Sequence, residues 1–228
     1  RIRLFKAEQR RVRELEIINQ ISADLRTAQS LDDMLVIVLH ETMQLMNTGH
    51  GSIWLFSQTD NLLVQRIAMG NEQNIPVKEL KPAEGIIGRT FTSGKKYITR
   101  DLRSDPLIYQ KNRDSIEPGL GAVAIPVHST AGTVGVLAIF VDSERQIPND
   151  EINLLTILAE IAGNAVHRAD LFEQGQEQIR RLTTLRDIDS AIASSTDLRV
   201  TLSILAEYSV KQLKVDAADI LIYRPEIQ

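Results

Sequence analysis

The apolar pattern near the start of the chain occurs again about 170 residues later. The matching positions are Arg11, Val12, Leu15 and Ile18 with Arg181, Leu182, Leu185 and Ile188; Leu31, Leu35 and Ile37 with Leu198, Leu202 and Ile204; and Ile53, Leu55 and Phe56 with Ile220, Ile222 and Tyr223. The offset is 170 in the first group and 167 in the others. Such self-similarity indicates a repeated structural unit, and chance likeness between apolar helices is the alternative.

The repeat predicts one complete domain followed by the opening of a second. We expect an incoming signalling helix over residues 1–9, the complete domain over 10–172, a helical linker over 173–196 and a truncated second domain over 197–228. The chain starts with Arg1 rather than Met, which is typical of a piece of a longer protein. An output domain of that longer chain is therefore an expected partner.

The composition argues against several functions. With a net charge of −4 and 4% aromatic residues, the chain offers neither a basic field nor a base-stacking surface for nucleic acid. It has no cysteine, which excludes disulfides, thiolate metal sites and thioether-bound cofactors and fits a reducing cytoplasm. The uncharged stretch 118–141 contains Pro126 and four glycines, which favours a β-hairpin over a membrane span. We expect no membrane contact.

The stretch GRTFTSGKK (88–96) superficially resembles a phosphate-binding loop. A P-loop has four residues between its two glycines, followed by Lys and then Ser or Thr. Here five residues separate Gly88 from Gly94, and Lys96 occupies the hydroxyl position. Because a P-loop binds phosphate through successive backbone N–H groups, a changed length misdirects them. We therefore reject nucleotide binding by this loop.

Periodicity and turn signals predict an alternating series of helices and strands. The first helix follows Val12, Leu15, Ile18, Ile21 and Leu25, and a second runs from Leu31 to Met46 with Ser30 as its N-cap. The later elements are strands at 52–56 and 61–70, a short helix at 84–93 that ends at Gly94, a strand at 96–99, an irregular segment at 101–118 and a hairpin at 121–127 and 133–141.

The last predicted helix begins at an N-cap, Asn149, and keeps one apolar face. Its positions are Ile152, Leu155, Leu158, Ile161, Ala165, Ala169, Phe172, Ile179, Leu182, Leu185, Ile188 and Ile192. Spacing near 3.5 residues sustained over this length is typical of a coiled coil. Gly175 lies between the two halves and costs about 1 kcal/mol in a helix. We predict one continuous helix, with two separate helices as the alternative.

These segments together resemble a GAF domain. The likeness is carried by GSIWLF (51–56), EGIIGRTFTSGKKYITRDLRSDP (84–106), AVAIPV (122–127), TVGVLAIF (133–140) and NDEINLLTILAEIAGNAVHRADLF (149–172). The resemblance implies an α+β, PAS-related fold with an antiparallel sheet of five or six strands. The terminal helices would cover one face, and the short helix with loop 101–118 would enclose a pocket on the other. It also implies a cytoplasmic signalling module that forms a homodimer through its terminal helices.

No catalytic or metal site is predicted. His40, His50, His128 and His167 form no spaced pair for zinc. The methionine-sulfoxide-reducing relatives of GAF domains work through cysteines, which this chain does not have. We therefore expect this part of the protein not to be an enzyme.

The family's cofactors fit this sequence poorly. Bilin-binding members usually hold the chromophore through a Cys thioether, which is excluded here, whereas haem binding through one His stays open. Members that bind cyclic nucleotides carry an Asn-Lys pair after the last strand and a Phe further on, where this chain has Val141-Asp142 and Ile147. In those members the residue at the position of Ala138 can contact the base of the nucleotide. Because alanine cannot form a hydrogen bond there, each polar group of the base that stays unpaired would cost about 1–3 kcal/mol of binding free energy. A cyclic nucleotide is disfavoured, and an unidentified small molecule remains.

The resemblance and the alternation of strand residues together predict the ligand pocket. Its residues are Ser52, Trp54, Phe56, Ala68, Met69, Ile86, Ile87, Tyr109, Arg113, Ile116, Ala138 and Phe140. Mostly apolar walls with a few polar groups are usual for small-molecule sites. The alternative is that these side chains simply fill the core.

Two functions compete at this point. The first is a sensory module that binds a small molecule and transmits the change through its long helix. The second is a ligand-free scaffold for dimerisation and signal relay, which a cavity smaller than a few hundred Å³ would favour. Either could regulate a downstream histidine kinase, diguanylate cyclase or phosphohydrolase.

Overall fold

The computed structural model describes residues 28, 30–130, 132–194, 198–213 and 215–222. The chain divides into two compact units, Arg1–Asp170 and Leu171–Gln228. The predicted incoming segment 1–9, the predicted first helix from Val12 to Leu25, and Tyr223 lie outside the described residues.

The first unit is built around one antiparallel sheet. In chain order its elements are helix α1 (Leu31–Leu45), strands β1 (His50–Ser57) and β2 (Leu62–Met69), a 3-10 helix (Gly70–Asn74), β3 (Glu79–Leu80), helix α2 (Gly85–Ser93), β4 (Tyr97–Thr99), helix α3 (Gln110–Arg113), β5 (Leu120–Ser129), β6 (Gly132–Asp142) and the first part of helix α4 (Asn149–Ser194). The six strands lie in the order β3-β2-β1-β6-β5-β4. The predicted α+β fold is therefore confirmed, with six strands.

Local signals in the sequence set the ends of the helices. Ser30 caps α1 by accepting a hydrogen bond from the Asp33 amide at 3.1 Å, while Asp33 accepts one from the Ser30 amide. This reciprocal pair satisfies two of the amides that a helix start leaves free. Gly94 ends α2 in the left-handed conformation, with φ of 62°, which glycine adopts without strain. Both features were predicted.

Alternating residues of the central strands pack in two opposite cores. Val123, Ile125 and Val127 of β5 face α1 and α4, where they meet Leu39 and Leu155 in the helix-side core. The intervening residues face the other way, toward α2 and loop 101–118, and this cover-side core contains Ala122, Ala124, Val136, Ala138 and Phe140. The layers therefore follow the period of two along each strand.

The structure adds elements that the sequence did not predict. Strand β3, the 3-10 helix and α3 are too short to leave a periodic pattern, and α3 lies inside the segment predicted as irregular. Asn149 is the first residue of α4 rather than its N-cap.

The last helix and the second unit give one confirmation and one correction. Helix α4 runs through Gly175 without a break, as predicted. It is followed by helix α5 (Leu198–Leu213). Because Ile220 and Ile222 match Ile53 and Leu55 of β1 in the repeat, the repeat predicts a strand there. That prediction is wrong, because the structure describes no strand over residues 215–222 and Leu221 is 94% exposed. A lone strand has no partner for its backbone groups, and no neighbouring strand pairs with it among the described residues.

Candidate functional site

A small cavity lies between the sheet and the cover formed by α2 and loop 101–118. Its volume is about 50 Å³. Seven of the predicted pocket residues line it: Trp54, Ile86, Ile87, Tyr109, Ile116, Ala138 and Phe140. The strand residues point there because they share one face of β1 and β6, and the two isoleucines lie in the first turn of α2. That they bind a ligand stays a prediction.

The cavity also has walls that were not predicted. These are Ile75, Leu80, Gly85, Leu102, Ile108, Asn112, Ala122 and Ala124. The two alanines could have been found, because they alternate with the predicted helix-side residues of β5. The others come from short elements and loops, whose path over the sheet leaves no periodic signal.

Ser52, which is buried, and Phe56, which is half-buried, lie near the cavity without lining it. The Ser52 hydroxyl accepts a hydrogen bond from the Trp54 indole nitrogen at 3.0 Å, and it is fully buried. The Phe56 ring stacks on Phe91 of α2, with ring centroids 4.8 Å apart. Both side chains hold the wall in position, since each is engaged with a neighbouring aromatic residue.

The prediction that Met69 faces the pocket is wrong, and a β-bulge explains why. Ile53 is paired with Ile67 and Trp54 with Gln65, so Arg66 is an extra residue in β2. An extra residue reverses the alternation beyond it. Met69 consequently packs in the helix-side core. Ala68, opposite Ser52, is half-buried and is likewise absent from the cavity wall.

Arg113 belongs to a polar cluster in the cover rather than to the cavity wall. Its Nη2 donates to the backbone oxygen of Asp105 at 3.4 Å. The Asp105 carboxylate, 6% exposed, accepts from the Tyr97 hydroxyl at 2.9 Å and from the Leu107 amide at 2.8 Å. Burial and the adjacent carboxylate raise the pKa of Tyr97, so its hydroxyl keeps the proton that it donates. The cluster ties loop 101–118 to β4.

Asn112 fastens the cover at a second point. Its Oδ1 accepts a hydrogen bond from the Val77 amide at 3.1 Å, and its Nδ2 donates to the Val77 carbonyl at 3.2 Å. The side chain is 7% exposed, so these bonds replace ones that water would make. Nothing in the sequence distinguished this asparagine from its neighbours in a polar segment.

The cavity wall is electrically neutral. None of the side chains that line it is charged. Its polar groups are largely engaged, because the Trp54 indole nitrogen bonds Ser52 and the Asn112 amide bonds Val77. Such a wall receives apolar groups and offers no partner for a carboxylate or a phosphate.

The described part of the chain shows neither a cluster of metal ligands nor a membrane-spanning helix. Within it, no group of three or more His, Asp or Glu residues is arranged to hold a metal ion. Within the same residues, no helix has both the length and the apolar content needed to cross a bilayer.

Comparison with known proteins shows which family and which solved structures this architecture resembles. Residues 28–167 match the family model for the GAF domain. A GAF domain of a phosphoenolpyruvate-protein phosphotransferase from Coxiella burnetii is similar with 20% identity and a TM-score of 0.63, covering 71% of this chain and 96% of that chain. The GAF domain of a putative sensor histidine kinase from Pseudomonas syringae pv. tomato has 15% identity and a TM-score of 0.55, covering 77% and 99%. A free methionine-R-sulfoxide reductase from Neisseria meningitidis has 16% identity and a TM-score of 0.57, covering 69% and 90%.

The search of curated proteins found no match. At these identities the structural likeness establishes the fold, whereas the family model covers more than half of the sequence. The sheet order, the cover and the cavity between them agree with that match. This chain therefore belongs to the GAF domain family, whose members are sensory or regulatory modules of signalling proteins.

Proposed function

We propose that this chain is a regulatory relay module that pairs with a second copy of itself through α4 and acts without a bound metabolite. The observation that supports this most directly is the cavity volume of about 50 Å³. Small-molecule sites usually enclose about 300–1,000 Å³ and are largely pre-formed. The cover in this conformation leaves no room for a nucleotide, a haem or an amino acid.

The part of α4 in the second unit supplies the surface for pairing. Five large apolar residues on it are more than half exposed: Leu171, Phe172, Ile179, Leu182 and Leu185. Burying one such side chain contributes about 1.5–3 kcal/mol. Phe172 and Ile179 are seven residues apart and Leu182 follows three later, which is the spacing of a coiled-coil seam. A second copy of the same helix is the occupant that matches this stripe along its length.

Charging the stripe is expected to abolish pairing. In light scattering at high concentration we expect a dimer for the wild type and a monomer for Leu182→Glu/Leu185→Glu, because the interface would bury unpaired carboxylates. Arg180→Glu is the matched control, since Arg180 is exposed on the opposite side of the helix and should leave the dimer intact. A wild-type monomer under these conditions would contradict the relay proposal.

Relay requires more than pairing. The helix pair must have two arrangements, and an event elsewhere in the protein must favour one of them. In this proposal the activity of the parent protein's output domain depends on which of the two arrangements the helix pair adopts. A histidine kinase, a diguanylate cyclase or a phosphohydrolase are candidates, and the similar domain from a putative sensor histidine kinase supports the first. We place the module in the cytoplasm and assign it no catalytic step of its own.

A ligand sensor is the second candidate function. The presence of any cavity under a separate cover favours it, because displacement of α2 or loop 101–118 would enlarge the space. Trp54 is the single tryptophan of the chain and lies in the cavity wall, so its fluorescence reports occupancy. On the relay proposal, nucleotides, haem, amino acids and oxo-acids leave the Trp54 emission and the calorimetric baseline unchanged. A saturable response to any of them would instead establish sensing.

A further inference from the structure

An open groove lies directly outside the cavity. It has a volume of about 450 Å³ and runs along Glu84 and Gly85 on one side and residues 106–111 on the other. Gly85, Ile108 and Tyr109 line both the groove and the cavity. These three residues therefore form the boundary between the groove and the cavity, and we call the covering segment from Asp105 to Asn112 the wall.

Side-chain hydrogen bonds hold this wall at its two ends, at Asp105 and Asn112, and within the described residues none is made by the side chains of residues 106–111 between them. Asp105 anchors one end through Tyr97 and the Leu107 amide, and Asn112 anchors the other through Val77. Tyr109 lies between these anchors and makes no side-chain cap to α3. A half-buried tyrosine between two fixed points can change rotamer while the loop ends stay in place.

Gly85, at the start of α2, lies against Tyr109 of the wall. Its φ of +64° is a conformation that glycine adopts readily. A Cβ there would lie 3.4 Å from the Tyr109 Cβ and 3.5 Å from the Leu107 carbonyl oxygen. The Tyr109 side chain packs against the cluster that contains Trp54 and Leu80 and also borders the groove, and Gly85 puts no side chain beside the Tyr109 Cβ.

The charge of the two spaces determines what could pass between them. Glu84 and Lys111 line the groove, whereas the cavity wall holds no charged side chain. An ion that left the groove for the cavity would lose its hydration without gaining a partner. With Tyr109 swung outward, the space that its ring vacates is added to the cavity of about 50 Å³.

We propose that Tyr109 is a gate between the groove and the cavity, and that the gate admits uncharged, largely apolar small molecules. This inference rests on the second candidate function, because it specifies the ligand class and the entry route of that same cavity. A bound ligand holds Tyr109 outward and so displaces residues 106–111 of the cover.

A matched pair of probes tests the ligand class. Fluorobenzene and 4-fluorobenzoate share a ring and differ by one carboxylate, and ¹⁹F NMR on the full chain measures their binding. We expect fluorobenzene to bind at least about tenfold more tightly, because the carboxylate finds no partner in the cavity. Equal affinity, or tighter binding of 4-fluorobenzoate, overturns the inference.

Variants of the wall test the route. Tyr109→Ala is expected to speed fluorobenzene exchange at least about fivefold, and Ala138→Leu, which fills the cavity alone, to abolish binding. Ile87→Phe fills the same cavity from α2 and replaces Ala138→Leu if that variant does not fold by circular dichroism. Lys111→Ala, in the groove, should change neither quantity. Fluorobenzene binding that survives a folded cavity-filling variant, or exchange independent of Tyr109, overturns the inference.

The outcomes separate this inference from the functions on which it builds. Binding of 4-fluorobenzoate alone overturns the ligand class but leaves sensing in place. Binding of neither probe by the wild type or by Tyr109→Ala overturns the inference and the sensor function together. The dimer measured by light scattering is independent of both probes, so pairing through α4 is tested separately from ligand binding.

Discussion

Gly163→Ala is expected to destabilise the first unit by about 1–3 kcal/mol, although alanine is the better helix former. A Cβ on Gly163 would lie 1.9 Å from the backbone oxygen of His128 and 2.6 Å from its carbonyl carbon. Both atoms belong to the backbone of β5, so no side chain can rotate away. Helix α4 would have to move off the helix-side core that Leu155, Leu158 and Ala162 form with the sheet.

Urea unfolding followed by Trp54 fluorescence measures this effect, because Trp54 is buried in the same unit. Gly175→Ala in the same helix is the control, since nothing lies within 4 Å of its added Cβ. It should increase helicity in circular dichroism by removing a weak helix former. It should not lower the urea concentration at the midpoint of the unfolding transition that Trp54 reports. A wild-type transition for Gly163→Ala would contradict the close approach of α4 to β5.

Asn112→Ala is the second substitution with a large expected effect. It leaves the half-buried Val77 amide and carbonyl without their side-chain partners. A fully buried unpaired group costs about 1–3 kcal/mol, and because Val77 is half-buried we expect a loss of about 1–2 kcal/mol in total. We expect a lower free energy of unfolding and faster hydrogen exchange of the Val77 amide, because the cover loses one of its two fixed points.

Two companion variants identify the cause. Asn112→Asp keeps an acceptor for the Val77 amide but places a carboxylate against the Val77 carbonyl, so protection of the amide should fall less than in Asn112→Ala. Asn74→Ala removes an exposed asparagine from the same region and should stay within about 0.5 kcal/mol of the wild type. If Asn112→Ala has the same free energy of unfolding as Asn74→Ala, the hydrogen bonds between Asn112 and Val77 contribute nothing to stability.

Much of the architecture could be predicted because it depends on local or periodic chemistry. The Ser30 cap and the Gly94 stop are each decided within one helical turn. The two faces of β5 and β6 follow from strict alternation in uninterrupted strands. Once the order of elements had suggested the family, this alternation also put Trp54, Ala138 and Phe140 on one side of the sheet.

The errors arose where pairing across the chain changes a local rule. Met69 was assigned to the wrong face because the bulge at Arg66 appears only when β2 is paired with β1. Arg113 was assigned to the pocket because its loop covers the sheet, but its guanidinium meets the Asp105 carbonyl instead. Neither the bulge nor this contact has a signature in the residues on either side.

The sequence by itself determined the kinds and order of the longer elements, the two-sided sheet and the chemical classes that the missing cysteines exclude. Only the tertiary structure decided how close α4 comes to β5 at Gly163, how Asn112 is clamped to Val77, and how little space remains beneath the cover. The physical reason is range: caps and alternation act over a few residues along the chain. A void is instead the difference between large volumes brought together from distant segments, and a shift of one side chain can open or close it.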